Sequence, residues 1–292
     1  MKILLTGASG FIGKNILEAL SGRYHIIAPT SAELDLTDEL MVERFFSQHR
    51  LDAVIHSAVR PGHRNAKDPS KQLFINTRMF FNLVRQADRF GKMIFLGSGA
   101  VYDVRQPMVK IDEGYFDTNV PADEHGFSKY LIAKYAEKVD NLVKLRLFGI
   151  FGKYENYTIR FISNAICKAL YGLPITLRQN RRFDYLYVDD LVTVVEHFLH
   201  NRGAYTAYNV TPDAAVELLA IAELVRARSG KDLPIVVGQE ELGPEYSGSN
   251  ARLRAEIPHL SLTPLTEAID RLYAWYEANL HLVERERLLV DR

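Results

Sequence analysis

The 292-residue sequence has one cysteine, no excess of either charge and no long apolar run. A single thiol, Cys167, cannot form an internal disulfide, so a disulfide-stapled secreted scaffold is excluded and a reducing compartment is favoured. We interpret Cys167 as a buried apolar side chain. Thirty-six basic residues balance 36 acidic ones, so no overall field draws the chain to nucleic acid or to an anionic membrane. Small-molecule partners are therefore favoured.

Signals for export and membrane insertion are also missing. The chain begins Met1-Lys2-Ile3-Leu4-Leu5-Thr6, without a basic leader and an apolar stretch ending in a cleavage site. No run is long enough to span a bilayer. We therefore expect a cytoplasmic protein with no membrane partner. The 47% hydrophobic content supports a sizeable core, in one large domain or in a large domain with a smaller lobe.

Short apolar runs alternate with amphipathic stretches in the first half, as in repeated βαβ units around a parallel sheet. The predicted strands are residues 2–6, 24–28, 53–56, 92–97 and 142–148, and the predicted helices are 11–20, 39–49, 71–90 and 125–139. The fold class is thus α/β, a Rossmann-type doubly wound parallel sheet with a smaller C-terminal α/β lobe for substrate. We assign residues 1–152 and about 184–202 to the dinucleotide-binding domain, and about 153–183 and 203–292 to the lobe.

The second half has a less regular pattern. Residues 103–123 and 238–250 are rich in Gly, Pro, Asp or Ser, which predicts loops. Thr263-Pro264 has the pattern of a capping hydroxyl before proline at the first position of a helix. The charged tail from Glu284 to Arg292 is expected to fray. We find no internal repeat and no low-complexity segment.

A glycine at every third position joins the first predicted strand to the first helix, in residues 6–13. Missing side chains let the backbone turn tightly, approach a pyrophosphate and pack the helix against the strand, while the helix N-terminus supplies N–H groups. The strand before and the helix after this spacing favour a dinucleotide site over a merely structural turn. The predicted contacts are Gly7, Ser9, Gly10, Phe11, Ile12 and Gly13.

The residues after the second strand bear on the choice of dinucleotide. An NAD site normally has a carboxylate there to hold the ribose hydroxyls, whereas this chain has Pro29-Thr30-Ser31. A 2′-phosphate would not be repelled and could bond the two hydroxyls, although the nearest cations are Lys14 and Arg23. We therefore favour NADP and leave NAD open. Asp35 and Leu36 are expected beside the adenine, with a turn as the alternative for Asp35.

Seven segments form a recognisable set from Met1 to about residue 280. They are Gly7/Gly10/Gly13, residues 55–58, Asn76, residues 97–102, Gly126-x-Ser128-Lys129, residues 145–148 and residues 187–190. Together they resemble an extended short-chain dehydrogenase/reductase of the NAD-dependent epimerase/dehydratase family. The resemblance implies a nicotinamide cofactor on the first domain, with Ser57, Ala58, Asn76, Lys129 and Phe148 in its site, and a nucleotide-linked sugar on the lobe. Residues 32–38 are similar to the 4-keto-sugar reductases, including GDP-fucose synthase, which generally use NADPH.

The resemblance also assigns the catalytic positions. Ser98 takes the role of the hydroxyl that bonds the substrate oxygen, and Lys129 that of the lysine that holds the nicotinamide ribose. His125 stands where the family has a tyrosine, four residues before Lys129 and so on the same helix face. Imidazole titrates near ~6.5 rather than ~10, and a nearby ammonium lowers its pKa further. Neutral imidazole can donate one hydrogen bond and imidazolium can protonate an alkoxide, so ketone reduction is favoured over alcohol oxidation.

Other residues compete for the acid's role. Tyr130 and Lys134 form a second Tyr-x-x-x-Lys, but Tyr130 lies about 140° further round the helix than His125. Tyr102, four residues after Ser98, is an alternative acid or, more plainly, a wall of the substrate pocket. Ser98 itself has a second interpretation as a turn residue between two glycines. The chain could also bind its ligands without turning them over.

Three arginines follow the predicted strand at residues 175–177. Arg178, Arg181 and Arg182 suit a diphosphate because planar guanidinium groups match its oxygens, although a solvated basic turn is the alternative. Three positions depart from the family pattern. They are Phe183, where many relatives have an arginine; Gly149, often an asparagine; and Ala100, a cysteine in epimerising reductases.

The sequence therefore predicts an NAD(P)-dependent oxidoreductase acting on a nucleotide-linked sugar, with 4-keto reduction as the first interpretation. An NAD-dependent epimerase or dehydratase is the enzymatic alternative, and a silent dinucleotide- or sugar-nucleotide-binding protein, acting in redox sensing or as a scaffold, is the other. No metal site is predicted, since His197 and His200 have no third ligand in view. Relatives commonly pair through the helices containing Phe74–Phe81 and Lys129, which implies a homodimer.

Overall fold

The computed structural model describes residues 1–61 and 70–290. Its main sheet contains six parallel strands, in the spatial order β2-β1-β3-β4-β6-β11. They are β1 (Lys2–Thr6), β2 (His25–Ile27), β3 (Leu51–His56), β4 (Phe90–Ser98), β6 (Leu142–Leu147) and β11 (Ala207–Val210). The chain runs outward from β1 in both directions, so β1 and β3 flank the crevice where open α/β sheets bind their ligands.

Helices cover both faces of this sheet. Helices α1 (Phe11–Leu20) and α6 (Val188–His200) pack on one face, and α2 (Glu39–Gln48), α3 (Gln72–Val84) and α4 (Glu124–Tyr135) pack on the other. Side chains alternate along β1 because successive residues of a strand face opposite ways. Ile3 and Leu5 join the core beneath α1 and α6, whereas Leu4 joins the core beneath α2, α3 and α4.

Smaller sheets and four further helices complete the described fold. The remaining strands are β5 (Met108–Ile111), β7 (Gly149–Phe151), β8 (Ile175–Leu177), β9 (Arg181–Phe183), β10 (Tyr185–Tyr187), β12 (Val216–Glu217), β13 (Ile235–Val237) and β14 (Gly243–Gly248). They pair as β12-β9-β14-β5, β10-β7 and β13-β8. The helices are α5 (Phe161–Leu170), α7 (Leu218–Ser229), α8 (Ala251–Glu256) and α9 (Leu265–Ala278).

Some boundaries differ from the sequence-based prediction. The loops predicted at 103–123 and 238–250 contain β5 and β14, which pair with each other across more than 100 residues of chain. Local composition cannot reveal so distant a partner. Strand β11 pairs with β6 in the main sheet, so residues 207–210 do not belong to the lobe as predicted. The rest of the division into two domains stays a prediction.

The C-terminal segment is more ordered than its composition suggests. Thr263 does not cap α9: its N–H and hydroxyl donate to the Asp190 carboxylate, at 3.0 and 2.8 Å, and the helix begins at Leu265. The predicted cap is therefore wrong. Leu288 is 1% exposed and packs in the main core, so the tail does not fray from Glu284 as predicted. Within residues 1–61 and 70–290, no helix is long and apolar enough to cross a membrane.

Candidate active site

The glycine-rich turn after β1 forms a close-packed cradle. Gly7 has a φ of +72°, and a Cβ at Gly13 would lie 2.1 Å from the Gly7 carbonyl oxygen. Gly10 occupies the N-cap of α1 without a side chain that could cap the helix, so the first N–H groups of the helix face outward for an anion. Ser9 and Gly10 are exposed at this rim, and Phe11 and Ile12 are half-buried behind it. The backbone geometry fits the pyrophosphate of a dinucleotide.

The segment after β3 closes the other side of the cradle. A Cβ at Gly7 would lie 2.6 Å from the Ala58 nitrogen and 2.8 Å from the Ser57 carbonyl carbon, so the two backbones touch. Asn76 is buried on α3 and accepts the Arg60 N–H at 2.7 Å. In the structure, Asn76 therefore holds the segment that leaves β3, which is an indirect part in the predicted cofactor site.

The residues expected to hold a 2′-phosphate have other partners. The Thr30 N–H and hydroxyl both donate to Glu33, at 2.8 and 2.9 Å. The Lys14 ammonium lies 3.9 Å from the Tyr154 ring centroid, and Arg23 pairs with Glu196. The cradle therefore has hydroxyls near the end of β2 but a carboxylate beside them.

The predicted adenine contacts receive little support. Asp35 accepts the N–H and hydroxyl of Thr37, at 2.8 and 2.7 Å, and so forms a local turn, the alternative considered for it. Leu36 is buried in the core with Val42 and Phe46. Its side chain is thus committed to packing beneath α2, and a place beside an adenine stays a prediction.

Ser98 and Lys129 both lie towards the carboxyl end of β4. Ser98 is the last residue of the strand, and its hydroxyl accepts the Ala100 N–H at 3.1 Å. Lys129 extends from α4 with 5% exposure, and its Nζ lies 5.2 Å from the Phe95 ring centroid. Burial lowers the pKa of Lys129 to about 8. Across the described ranges its amine has no hydrogen-bond or ion-pair partner, as expected of a group that awaits a polar ligand.

A buried histidine lies close to this lysine. His56, at the end of β3, has a pKa lowered to about 3, first by burial and then by the Lys129 charge. Its Nδ1 is 2.8 Å from the Thr6 hydroxyl. His56 is therefore neutral at physiological pH, and it leaves Lys129 without a compensating negative charge.

His125 lies at the beginning of α4, one turn before Lys129. It is half-buried, and among the described residues its Nδ1 has no hydrogen-bond partner. Burial lowers the pKa of His125, the charges of Lys129 and Arg160 lower it further, and Asp123 opposes them. Imidazole is therefore neutral at pH 7, so His125 can donate one hydrogen bond but is rarely an imidazolium.

Two competing tyrosines are engaged elsewhere. Tyr130 donates its hydroxyl to Asp117, which also pairs with Lys134 at 2.5 Å, so the second Tyr-x-x-x-Lys forms an ion-paired outer surface. Tyr102 is 1% exposed, and its hydroxyl donates to Asn209 at 2.5 Å and accepts from Arg146 at 2.6 Å. Tyr102 is thus committed to internal hydrogen bonds, which do not favour the predicted substrate contact.

The three arginines separate on the two sides of β9. Arg178 and Arg181 line a cavity of about 610 Å³ in the lobe, together with Asn164, Thr176, Leu218 and Val236. Arg182 points the other way, with its Nε 3.7 Å from Glu245 and its guanidinium donating to the Ala215 carbonyl at 3.4 Å. Adjacent strand residues face opposite sides, so the strand that replaces the expected turn separates Arg182 from Arg181. A substrate contact by Arg182 stays a prediction.

Sequence reasoning missed two residues of this region. Arg160 stands between Ile159 and Phe161, which line the lobe cavity, and its charge reaches His125. Tyr246, on β14, places its hydroxyl against Gly99. An arginine before a helix and a tyrosine in a Gly/Ser-rich stretch have no local pattern that could have identified them.

His197 and His200 have ordinary partners. His197 pairs with Glu256 at 3.3 Å, and His200 is 2.7 Å from the Tyr24 hydroxyl. Within the part of the chain that the structure describes, no group of three or more His, Cys, Asp or Glu side chains is arranged to hold a metal.

A glycine cradle at the switch point of a parallel sheet, with Ser98 at the end of β4 and Lys129 within the neighbouring helix α4, defines a dinucleotide-binding protein of the short-chain dehydrogenase/reductase type. The sequence profile of the NAD dependent epimerase/dehydratase family matches residues 3–211. The chain belongs to this family, whose members act as NAD(P)-dependent nucleotide-sugar epimerases, dehydratases and reductases.

The chain is similar to relatives that are named for GDP-linked sugars. The chain is 26% identical over 224 residues to GDP-L-colitose synthase of Yersinia pseudotuberculosis, covering 69% of this chain and 73% of the relative. It is 25% identical over 314 residues to GDP-L-fucose synthase 1 of Arabidopsis thaliana, covering 96% and 94%.

Solved structures share the fold. UDP-glucose 4-epimerase from Thermotoga maritima, with UDP-glucose, superposes with a TM-score of 0.81 at 20% identity, covering 96% of this chain and 100% of that one. The GDP-mannoheptose C4 reductase from Campylobacter jejuni, with NADP bound, gives 0.80 at 19% identity, covering 94% and 98%. At these identities the likeness shows the fold, and the particular reaction has to be argued from the site.

Proposed function

We propose that this protein reduces the 4-keto group of a sugar carried on a nucleoside diphosphate. The observation that carries the proposal is the buried amine of Lys129, which has no partner among the described residues and lies on the same helix as the neutral His125, towards the end of β4 where Ser98 stands. The nicotinamide cofactor, when bound, supplies the hydride. Ser98 and His125 then donate hydrogen bonds to the ketone oxygen, where negative charge develops as the hydride arrives.

Lys129 has a binding role in this scheme. Its amine is buried and has no protein partner among the described side chains, so ribose hydroxyls would satisfy it. Its charge also keeps His125 neutral. The sequence had assigned proton donation to His125, but a neutral imidazole with a lowered pKa is a better hydrogen-bond donor than acid.

For the cofactor we propose NADP, with only a small preference over NAD. No carboxylate occupies residues 29–31, so a 2′-phosphate meets the hydroxyls of Thr30 and Ser31. However, Thr30 already donates to Glu33. Lys14 and Arg23 are engaged by other residues. The extra affinity for a 2′-phosphate would come from neutral hydroxyl donors, and the nearby Glu33 carboxylate would weaken it. We therefore expect NADP to bind at most about tenfold more tightly than NAD.

The lobe cavity is the proposed site of the nucleotide part of the substrate. Arg178 and Arg181 line it and present guanidinium groups that match diphosphate oxygens. Arg160 belongs to the stretch that lines the cavity and also acts on His125, so it marks the side on which the sugar would reach the catalytic residues.

We also propose a homodimer formed by the outer faces of α3 and α4. Phe74 is 61% exposed and Tyr135 is 43% exposed. Tyr135 and Phe81 make an edge contact with ring centroids 4.8 Å apart, which joins the two helices into one aromatic surface. Large exposed aromatic side chains on adjacent helices favour association with a second copy.

The reaction is tested by following reduced-nicotinamide absorbance with a panel of nucleotide-linked 4-keto-6-deoxy sugars, with NADPH and NADH in parallel. We expect oxidation of the cofactor with at least one sugar and similar rates with both cofactors. Interconversion of sugar epimers without net oxidation of the cofactor would show an epimerase instead. Tight cofactor binding with no change in any sugar would show a silent binding protein.

His125→Tyr should raise kcat about tenfold at pH 7.5. The new phenol would occupy the family's usual position, and the Lys129 charge would lower its pKa and make it a better acid than neutral imidazole. His125→Phe is the matched control, since it adds a ring without a donor and should lose activity. Steady-state kinetics of both variants check this. Equal kcat values in all three proteins would remove residue 125 from the reacting centre.

A further inference from the structure

Tyr246, on β14, places its hydroxyl beside the residue that follows Ser98. A Cβ built on Gly99 would lie 2.5 Å from the Tyr246 hydroxyl oxygen and 3.1 Å from the Phe148 ring. Gly99 follows Ser98 directly at the end of β4. The hydroxyl is thus in contact with backbone one residue from the serine, in space that any larger side chain at position 99 would occupy.

The phenol ring is held rigidly in this position. It stacks on Phe183, with ring centroids 4.8 Å apart and planes 22° apart, and it contacts Phe148 at 5.2 Å. Strand β14, which contains Tyr246, is paired with β9 on one side and β5 on the other. An aromatic side chain fixed by strand pairing and ring contacts is pre-organised for a role at a site.

The hydroxyl has no hydrogen-bond partner within residues 1–61 and 70–290. No hydrogen bond among the described residues involves the Tyr246 hydroxyl, although the side chain is largely enclosed. The nearby Tyr102 hydroxyl, by contrast, has both Asn209 and Arg146. Tyr246 is half-buried, and its hydroxyl is not among the fully buried polar atoms, so a ligand can reach it and form the hydrogen bond that the described residues do not supply.

We propose that the Tyr246 hydroxyl contacts the reacting oxygen of the substrate and gives it the proton that completes reduction. This role rests on the proposed reductase function. The carbonyl carbon gains a hydride from the reduced nicotinamide cofactor, the C=O double bond becomes a single bond, and the oxygen takes the proton from Tyr246. The products are the sugar alcohol, the oxidised cofactor and a tyrosinate, which regains its proton from water when the product leaves.

The electrostatics of the site support this direction of transfer. Burial raises the pKa of Tyr246, and the charge of Asp184 raises it further, so the phenol stays protonated at physiological pH. A sugar alkoxide is a stronger base still, so the proton moves to it. The neutral His125 has no proton to spare without becoming an anion, and it therefore acts beside Tyr246 as a hydrogen-bond donor.

Tyr246→Phe tests the contact without depending on turnover, because it keeps the ring and removes only the oxygen. We expect calorimetric titrations of the cofactor-free protein with GDP-fucose and UDP-glucose to show binding about fivefold to tenfold weaker in the variant, as expected for one lost hydrogen bond. GDP and UDP alone should bind unchanged, because they do not reach the hydroxyl. Equal affinity of both proteins for the sugar nucleotides would overturn the contact.

The same variant tests proton donation in the turnover assay. We expect kcat to fall about 100-fold with KM changed less than about threefold, a typical loss for a general acid. Tyr130→Phe is the matched control, since it removes a hydroxyl that binds Asp117 on the outer face and should leave kcat unchanged. An unchanged kcat in Tyr246→Phe would overturn proton donation. If the wild-type protein reduces no keto sugar, the reductase function is refuted. The calorimetric comparison of Tyr246→Phe with the wild type then decides alone whether the Tyr246 hydroxyl contacts the sugar.

A double-mutant cycle adds a check on proximity. Gly99→Ala would press a methyl group on the Tyr246 hydroxyl and should lower kcat in the wild-type background. In the Tyr246→Phe background the same substitution should cost much less, since the atom it displaces is gone. Additive losses would show that position 99 acts independently of Tyr246. Cofactor affinity, measured by fluorescence, should remain at the wild-type value in Tyr246→Phe. This control checks that the variant is folded.

Discussion

Lys129→Met should stabilise the protein and disable it. In the folded state the pKa of Lys129 is about 8 instead of its ordinary 10.5, because burial disfavours the charged amine. At pH 7 this difference corresponds to about 3 kcal/mol of lost stability. Methionine fills similar space without a charge, so the free energy of unfolding should rise by about that amount. Cofactor affinity should fall at least about tenfold and kcat about 100-fold, since the ribose loses its partner.

The lowered pKa of Lys129 also predicts how the free energy of unfolding changes with pH. An amine whose folded pKa is lowered releases its proton on folding between about pH 8 and pH 10.5, so the unfolded state binds more protons there and stability rises with pH. In the Lys129→Met variant, the part of this rise in stability that comes from Lys129 should be absent. Denaturant unfolding from pH 7 to pH 10 measures the effect. Loss of stability in the variant at pH 7 would contradict the account.

Lys144 provides a matched control. It is 2% exposed on β6, burial lowers its pKa to about 8, and it donates only a long hydrogen bond of 3.4 Å to the Ala133 carbonyl. Lys144→Met should therefore gain stability and lose pH dependence as Lys129→Met does. Cofactor binding should not change, because Lys144 lies inside the packing between β6 and α4. The two lysines differ in their access to the cradle. A loss of cofactor affinity in Lys129→Met but not in Lys144→Met would therefore come from a lost contact with the cofactor and not from the change in stability.

The local features of the fold and site were predictable from the sequence. Strand β1, helix α1 and the glycine turn between them have the predicted bounds, because glycine spacing and apolar runs act within a few residues. Ser98 and Lys129 were identified through the resemblance of their segments to a known family, and both lie towards the carboxyl edge of the sheet. Their chemical roles stay proposals.

Non-local contacts account for what the sequence did not reveal. Strand β14 has a Gly/Ser-rich composition typical of a loop and becomes a strand only because β5 and β9 flank it. Tyr246 was missed with it, and Arg182 was grouped with Arg181 although a strand, unlike a turn, separates neighbouring side chains. Tyr102 was considered because it lies four residues after Ser98. Its hydroxyl instead bonds Asn209 and Arg146, which come from strands distant in the sequence.

Gly13→Ala should abolish useful cofactor binding, with the dissociation constants for NADP and NAD raised at least about 100-fold. The new Cβ would lie 2.1 Å from the Gly7 carbonyl oxygen, 2.7 Å from its carbon and 2.9 Å from the Ala8 Cα. All three are backbone atoms, so no side chain can rotate away and the turn must open. Opening it moves the helix N-terminus from the strand and spoils the pyrophosphate site.

The control for this substitution is Gly22→Ala, in the exposed turn after α1. There a Cβ meets no atom within 4 Å in the described structure, so stability should be unchanged or slightly higher and cofactor affinity should stay as in the wild type. Fluorescence titration with reduced cofactor measures both variants. Calorimetry with GDP or UDP shows whether the lobe of Gly13→Ala is still folded, because its cavity does not touch the cradle. Retained nucleotide binding with lost cofactor binding would locate the damage in the cradle, whereas wild-type cofactor affinity would mean that the cofactor does not depend on this turn.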